Sequence, residues 1–547
     1  MATEDAGPTA RGERTASIIP SVGLLAVEWE RIQVVLRLDA NDLDPAALRL
    51  LPDSDDTRPL APMPPTATGH GGDGTAWARF NVMLGPDQRP LADGPWTLAL
   101  GERPLAVSGS ADLRRRTVLR IFRYRRGRTL VRPTLDGGRL VLCVVHAGKA
   151  RRGRAPRPKR RRWPSWRSFV RGARRSIFDR LVRSFRSASP RDGRRIVFTS
   201  DSRASLSGNL AVVHARMLER GLDRDHRIDT IFKASIQDRR SWRDRLRLPR
   251  LLGRADVILL DDYQPAIYRL PPDDRVRIIQ LWHASGAFKT VGYSRIGKPG
   301  GPSPFAMRHK NYTHAIVSGR HDVPFYAEAF GLPEVRVIPT GIPRMDRFFD
   351  EGQRAAGRAL ALRLFPSIAG RTTILFAPTF RGTGPRNAHY DYDRLDLAAL
   401  HALCLQLDAV VIVKMHPFIR EPLEIPAELA DRIIDGTASP IDVNDLLFAV
   451  DLLITDYSSI VFEFSTLLRP MLFYAYDLEE YVADRDFYVP FEEFVPGRIV
   501  RTFDELLAAI RDGDTQADKV PAFARRHFDH LDGHATDRII DELILAR

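Results

Sequence analysis

Four polar clusters follow four apolar runs in this 547-residue chain. His283 follows "VRIIQLW", with Trp282 before it and Lys289 a few positions on. Thr379 and Arg381 follow "TTILFAP". Lys414 and His416 close "AVVIVKMHP". Asp456, Tyr457, Ser458 and Ser459 follow "DLLIT". Continuous Val, Ile and Leu runs read as strands of a parallel sheet covered on both faces. Open α/β sheets bind their ligands just beyond the carboxyl ends of the strands. A lone histidine at a strand end is structural more often than catalytic. Four polar clusters in the same topological position point to one site.

The residue types fit phosphoryl transfer. His283 and His416 can move protons near neutral pH. Lys289, Arg381 and Lys414 supply the cationic clamp that a transferring phosphoryl group needs more than covalent chemistry. "TDYSSIVFEFSTLL" opens a helix at Ser458 and Ser459. The free N–H groups of a helix start, with two hydroxyls, make a phosphate site, although serine is also an ordinary helix cap. Glu463 lies on the same helix face and can accept hydrogen bonds from a sugar diol. Asp456 would repel phosphate and reads as a loop-holding or acceptor-side group, with Trp282 and Tyr457 in support. The chain has no GxxxxGK[ST], no HExxH, no CxxC pair and no convincing GxGxxG. Asp261 and Asp262 lack the Asp-x-Asp spacing of metal–diphosphate sites, so no metal and no cofactor are expected.

These residues need a scaffold. Residues 195–547 alternate strand-like runs with helical stretches, which predicts two Rossmann-like halves facing a cleft, 195–350 and 351–547. Residues 16–146 read differently. "RIQVVLRL" alternates Ile32, Val34, Leu36 and Leu38, and "ARFNVMLG" alternates Phe80, Val82 and Leu84. Short period-two strands with frequent turns predict an antiparallel sandwich-like accessory domain. Residues 1–15 form a polar tail without the apolar core of a signal peptide.

The formal charge is +15, yet residues 151–195 alone hold 18 Lys or Arg against 2 Asp. The basicity therefore belongs to one segment, a linker and helix over 147–194. Trp166, Val170, Ala173, Ile177, Leu181 and Phe185 recur at helical spacing, with Phe169, Phe178 and Val182 alongside. Trp163, Trp166, Arg167, Arg171, Arg174 and Arg175 give this stretch the character of an amphipathic helix for an anionic membrane surface. Packing on the next domain is the competing reading. Nucleic acid is not expected as a partner, because charge alone does not make such a site. No run approaches the length of a membrane span, and two distant cysteines, Cys143 and Cys404, argue against a disulfide framework. A non-catalytic basic scaffold stands as an alternative to an enzyme.

"QLWHASGAFKTVGYS", "TGIPRMDRFF", "FAPTFRG", "VKMHPF" and "LLITDYSSIVFEFSTLLRPMLFYAYDLEEY" together resemble the CDP-glycerol glycerophosphotransferases of wall teichoic acid synthesis. "DFYVPFEEFVPGRIV" and "FDHLDGHATDRI" continue the resemblance to the C-terminus. It implies a glycosyltransferase-B-like pair of Rossmann-type domains after the β domain. It also implies transfer of glycerol phosphate from CDP-glycerol to a hydroxyl of a polyprenyl-diphosphate-linked acceptor, with release of CMP. His283 would be the general base and His416 would contact the donor phosphates. Ser458 and Ser459 would hold the diphosphate, Thr379 and Arg381 would line the cleft, and Glu463 would reach the ribose. CDP-ribitol or another CDP-polyol, for a wall or capsule polymer, would use the same clamp. An acceptor of this kind implies a peripheral protein at the cytoplasmic face of the membrane.

Overall fold

The computed structural model describes residues 21–39, 43–52, 61–85, 88–109, 119–124, 127–148, 166–189, 191–270, 273–298, 301–306, 308–382, 384 and 386–546. The tail 1–15 and Trp163 lie outside the described residues, as do the side chains of Trp166, Arg167, Arg171 and Arg174. The chain divides into two compact units. One is residues 1–152 with 296–298 and 303–305; the other is the remainder.

The first unit carries two sheets. One orders the strands Ala67–His70, Thr75–Asn81, Gln33–Asp39, Ser21–Glu30 and Ala106–Ser108, antiparallel except for the last pair. The other orders Leu48–Pro52, Gly94–Leu100, Arg139–Gly148, Gly127–Asp136 and Arg120–Tyr124, all antiparallel. Val34, Leu36, Leu38 and Phe80 are fully buried. Val82 and Leu84 are buried as well, but in the turn after the strand.

The second unit holds two six-stranded parallel sheets. In the first, the order is Arg227–Phe232, Arg195–Ser200, Val257–Leu260, Arg277–Gln280, His314–Ile316, Val337–Ile338. In the second, it is Ile433–Asp435, Ala409–Val413, Thr372–Phe376, Leu452–Thr455, Met471–Tyr474, Arg498–Val500. Each sheet starts on an inner strand, grows toward one edge and then returns to grow toward the other. The reversal falls between Arg195–Ser200 and Val257–Leu260 in one sheet, and between Thr372–Phe376 and Leu452–Thr455 in the other. Crevices at such reversals are where doubly wound sheets take ligands. A single buried cluster includes Phe198, Leu259 and Ile279 of the first half and Leu375, Phe462 and Phe473 of the second. The C-terminal segment returns to the first half, where Asp537 pairs with Arg216 and Arg220.

The basic helix spans Trp166–Ser187. Its second part packs on the helix Trp242–Arg254. Val182 is fully buried, Phe178 is partly buried against the same core, and Arg186 pairs with Asp273 at 3.3 Å. Phe178 and Val182 make this contact together with Phe185, and the closest approach is at Gly253, while Ile177 is 56% exposed and Ala173 is also exposed. A Cβ at Gly253 would stand 2.7 Å from the Val182 carbonyl oxygen and 2.8 Å from Phe185 Cβ. Gly253→Ala must push the two helices apart, so it should destabilise this unit by roughly 1 to 3 kcal/mol, read as a lower melting temperature.

Candidate functional site

The loops after the second-half reversal are held by one buried charge network. Asp456 ends the strand Leu452–Thr455 and is 1% exposed. Its Oδ1 accepts from the backbone N–H groups of Thr379 (2.7 Å) and Tyr457 (2.6 Å). Its Oδ2 accepts from Arg381 Nη1 at 2.8 Å. Arg381 also donates to Asp477 through Nε (2.6 Å) and Nη2 (2.9 Å), and Tyr457 donates to Asp477 at 2.9 Å. The rings of Tyr390, Tyr457, Tyr476 and Tyr481 surround the guanidinium. Burial works against its charge, but the carboxylates more than offset that and hold it protonated. This geometry corrects the expectation that Arg381 is a phosphate cation: both of its charged faces are engaged by Asp456 and Asp477. Its role here is to lock two loops together.

Beside this lock lies a cleft of about 570 Å³. Its lining includes Lys414, His416, Ser458, Ser459 and Glu463, five of the residues singled out in the sequence, together with Arg344 from the first half. Lys414 donates Nζ to the carbonyls of Gly436 (3.0 Å) and Ser439 (3.4 Å), and burial lowers its pKa. His416 Nδ1 accepts from the Phe418 N–H at 3.1 Å, so a neutral ring carries its proton on Nε2. Burial, and then Lys289, lower the His416 pKa. Ser458 Oγ accepts from the Ile460 N–H at 3.3 Å and so does the ordinary capping work. Ser459 precedes the short helix Ile460–Ser465 without a side-chain cap bond, which leaves its hydroxyl open.

Glu463 connects the halves. Its Oε1 accepts from Ser285 Oγ at 2.7 Å and pairs with Arg344, while its Oε2 is buried without a hydrogen-bond partner. Arg344 Nη2 also donates to Ser285 at 3.2 Å. Gly286 allows this approach. A Cβ there would meet the Phe462 ring at 2.1 Å, so the small residues after His283 serve inter-half packing.

His283 and Lys289 are not part of the lining of that cleft, nor are Thr379 and Arg381. His283 follows the strand Arg277–Gln280 on a strained support. Trp282 is held at φ +50°, unusual for a bulky residue, and its carbonyl accepts from Asn209 Nδ2 at 2.6 Å. The two rings lie 4.3 Å apart. The imidazole reaches open solvent yet stands deep in the wall of the protein. Desolvation, then Arg344 and Arg203, push its pKa down to about 4. Arg344 thus acts on His283 and also borders the cleft. Lys289 donates to Tyr481 at 2.8 Å, and burial lowers it to about 8 against the pull of Asp456. Thr379 Oγ1 is buried and unpartnered.

Residues 181–545 match the family of CDP-glycerol:poly(glycerophosphate) glycerophosphotransferases. The chain belongs to this family. Its relatives include the teichoic acid ribitol-phosphate polymerases TarK and TarL of Staphylococcus aureus. TarK is 48% identical over 64% of this chain and 68% of its own length. TarL is 45% identical over 68% of this chain and 66% of its own. A teichoic acid glycerol-phosphate primase of Bacillus subtilis is 28% identical over 53% of this chain and 74% of its own. The chain thus spans about two thirds of the length of the ribitol-phosphate polymerases. The solved wall teichoic acid polymerase TagF shares the fold, with a TM-score of 0.54 at 22% identity over 69% of this chain and 96% of that one. The glycosyltransferase-B-like pair expected from the sequence is present, with the antiparallel β unit before it.

For this glycerophosphotransferase-family chain, three contributors went unassigned in the sequence: Ser285, Arg344 and Asp477. Arg344 follows the strand Val337–Ile338 and carried the same strand-end signal as the others. Asp477 follows the strand Met471–Tyr474 and Ser285 follows Arg277–Gln280, so both carried that signal as well. Among the described residues, one grouping could hold a metal ion, His321, Asp322 and His527, whose ligand atoms lie within 4.8 Å of one another. It is formed by residues other than those of the cleft. Asp477→Ala removes one of the two carboxylates on Arg381 and the acceptor of the Tyr457 hydroxyl, while Asp456 remains. That change should cost about 1 to 3 kcal/mol, measured by chemical denaturation.

Proposed function

We propose that this protein transfers ribitol phosphate from CDP-ribitol to a hydroxyl of a growing teichoic-acid-type polymer and releases CMP. The observation that carries the donor choice is the 48% and 45% identity to ribitol-phosphate polymerases, against 28% to a glycerol-phosphate primase. The geometry supports the chemistry. Lys414, His416 and Ser459 offer cation and donors for a diphosphate at the second-half reversal. The unpartnered Glu463 Oε2 is an open acceptor for a donor hydroxyl.

In this mechanism the acceptor oxygen attacks the phosphorus that bears the ribitol. The new P–O bond forms as the bond from that phosphorus to the bridging oxygen of CMP breaks. His283 takes the proton of the attacking hydroxyl, and the bond's electron pair leaves on CMP, opposite Lys414 and His416. The lowered pKa of His283 keeps its ring neutral in the neutral range, with a nitrogen lone pair free for the proton of the hydroxyl.

The acceptor of this reading is lipid-linked, and the exposed side of the helix Trp166–Ser187 serves as the membrane contact. No helix among the described residues is long and apolar enough to cross a membrane. Arg175, Arg180 and Arg183 are exposed beside Ile177.

Purified protein, given a ribitol-phosphate-primed lipid acceptor, should release CMP faster from CDP-ribitol than from CDP-glycerol. The product should grow in mass by ribitol-phosphate units, and His283→Ala should slow release by about 10² to 10⁴-fold. Preference for CDP-glycerol would reassign the donor; wild type and His283→Ala at equal background would end the transferase reading. At saturating acceptor, the pH profile of kcat/KM for CDP-ribitol should lack an acid limb near 6.5 and should fall above about 8, where Lys289 loses its charge. Lys289→Arg should move that alkaline limb upward. Changing Arg175, Arg180 and Arg183 together to Gln should weaken flotation with anionic vesicles, while unchanged flotation would exclude this face.

A further inference from the structure

The site above uses the reversal of the second sheet, but the reversal of the first is equally built. Ser202 and Arg203 follow the strand Arg195–Ser200, Asp261 and Asp262 follow its neighbour Val257–Leu260, and His283 follows the next, Arg277–Gln280. Three adjacent strands thus end in one polar rim. Arg203 is anchored by Nε to the fully buried Asp261, at 2.9 Å to Oδ1 and 2.8 Å to Oδ2, and its Nη1 reaches Ser207 Oγ at 3.4 Å. Among the described residues its Nη2 makes no hydrogen bond. Gly208, at φ +58°, closes behind the pair: a Cβ there would stand 3.1 Å from Arg203 and 3.2 Å from Asp261.

Asp262 adds a second open valence. Its Oδ1 is buried with no hydrogen-bond partner. Burial, and then the charge of Asp261, push this carboxyl up to about 6, so it is suited to bonding a neutral hydroxyl. The other charges of the rim are satisfied, since Asp201 pairs with Lys233 at 3.0 Å and with Arg240. Asn209 ties the rim to the reacting end. Its Nδ2 donates to the Trp282 carbonyl, and its Oδ1 accepts from the Arg344 N–H at 3.1 Å. The Tyr263 and Trp282 rings lie 6.3 Å apart.

We propose that Arg203 and Asp262 form the acceptor subsite, with Arg203 Nη2 on a phosphodiester oxygen of the terminal polyol-phosphate unit and Asp262 on one of that unit's hydroxyls, presenting the next hydroxyl to His283. The assignment rests on the transferase reading for its substrate class. A polyol-phosphate unit offers one anion and several hydroxyls, which one guanidinium N–H and one carboxyl oxygen match. An uncharged acceptor would leave Arg203 Nη2 unused.

Titration of a synthetic ribitol-phosphate oligomer into the full chain, without donor, reads this subsite apart from turnover. Wild type should bind it, and Arg203→Lys and Asp262→Asn should each weaken binding by about tenfold or more. In turnover assays the same variants should raise the acceptor KM and leave the KM for CDP-ribitol unchanged. Both retain the size and polarity of the site, and melting temperatures equal to wild type would verify folding. If Arg203→Lys fails to fold, the isosteric Asp262→Asn decides. No oligomer binding by wild type, or equal binding by wild type and variants, overturns the subsite. CMP release is scored separately, so its absence falls on the transferase reading instead.

Discussion

A carboxylate cannot be buried alone, and Glu463 is 3% exposed. It sits on the helix that follows the strand Leu452–Thr455, in the second half. Its compensating partners, Ser285 and Arg344, both come from the first half. The same requirement therefore fixes where the strand end bearing His283 stands relative to the serines of the second half. Phe462, next to Glu463 and fully buried, packs where only a glycine leaves room, at Gly286. Charge compensation and apolar packing act on adjacent residues, so the two halves meet in one register. One oxygen of Glu463 joins the halves while the other is buried without a hydrogen-bond partner.

A second constraint works inside the second half. Asp456 and Asp477 share one guanidinium, Arg381, inside a ring of tyrosines. Four aromatic faces and two carboxylates keep that cation in place. The loop after Thr372–Phe376 is thereby tied to the loop after Leu452–Thr455. The open hydroxyl of Ser459 is presented from this fixed frame, in the same cleft as Lys414, His416 and Arg344. The first half repeats the device on a smaller scale, with Asp261 holding Arg203 by one edge and leaving the other edge open.

Much of this was legible in the sequence. The apolar runs gave every strand of the two parallel sheets that borders the site, because strands covered on both faces must be continuously apolar. The polar residues that the sequence pointed to include Lys414, His416, Ser458, Ser459 and Glu463, which the fold brings to one cleft, while His283 stands outside its lining. The helix Trp166–Ser187 was legible as a helix, and Phe178, Val182 and Phe185 were among its apolar residues. Spacing alone cannot tell which of them meets a partner; the helix Trp242–Arg254, distant in sequence, covers Phe178 and Val182 and leaves Ile177 exposed.

What the sequence by itself determined is the set of strand ends and the chemistry they carry, because both follow from local patterns of apolar and polar residues. What the tertiary structure decided is which charges are free to act. Arg381 and Arg344 look alike in sequence, each a cation shortly after a strand. Only the folded chain encloses Arg381 between two carboxylates and sets Arg344 where it touches Glu463, borders the cleft and lowers the pKa of His283. The physical reason is that a charge is silenced or exposed by partners far away in sequence, and no local pattern records them.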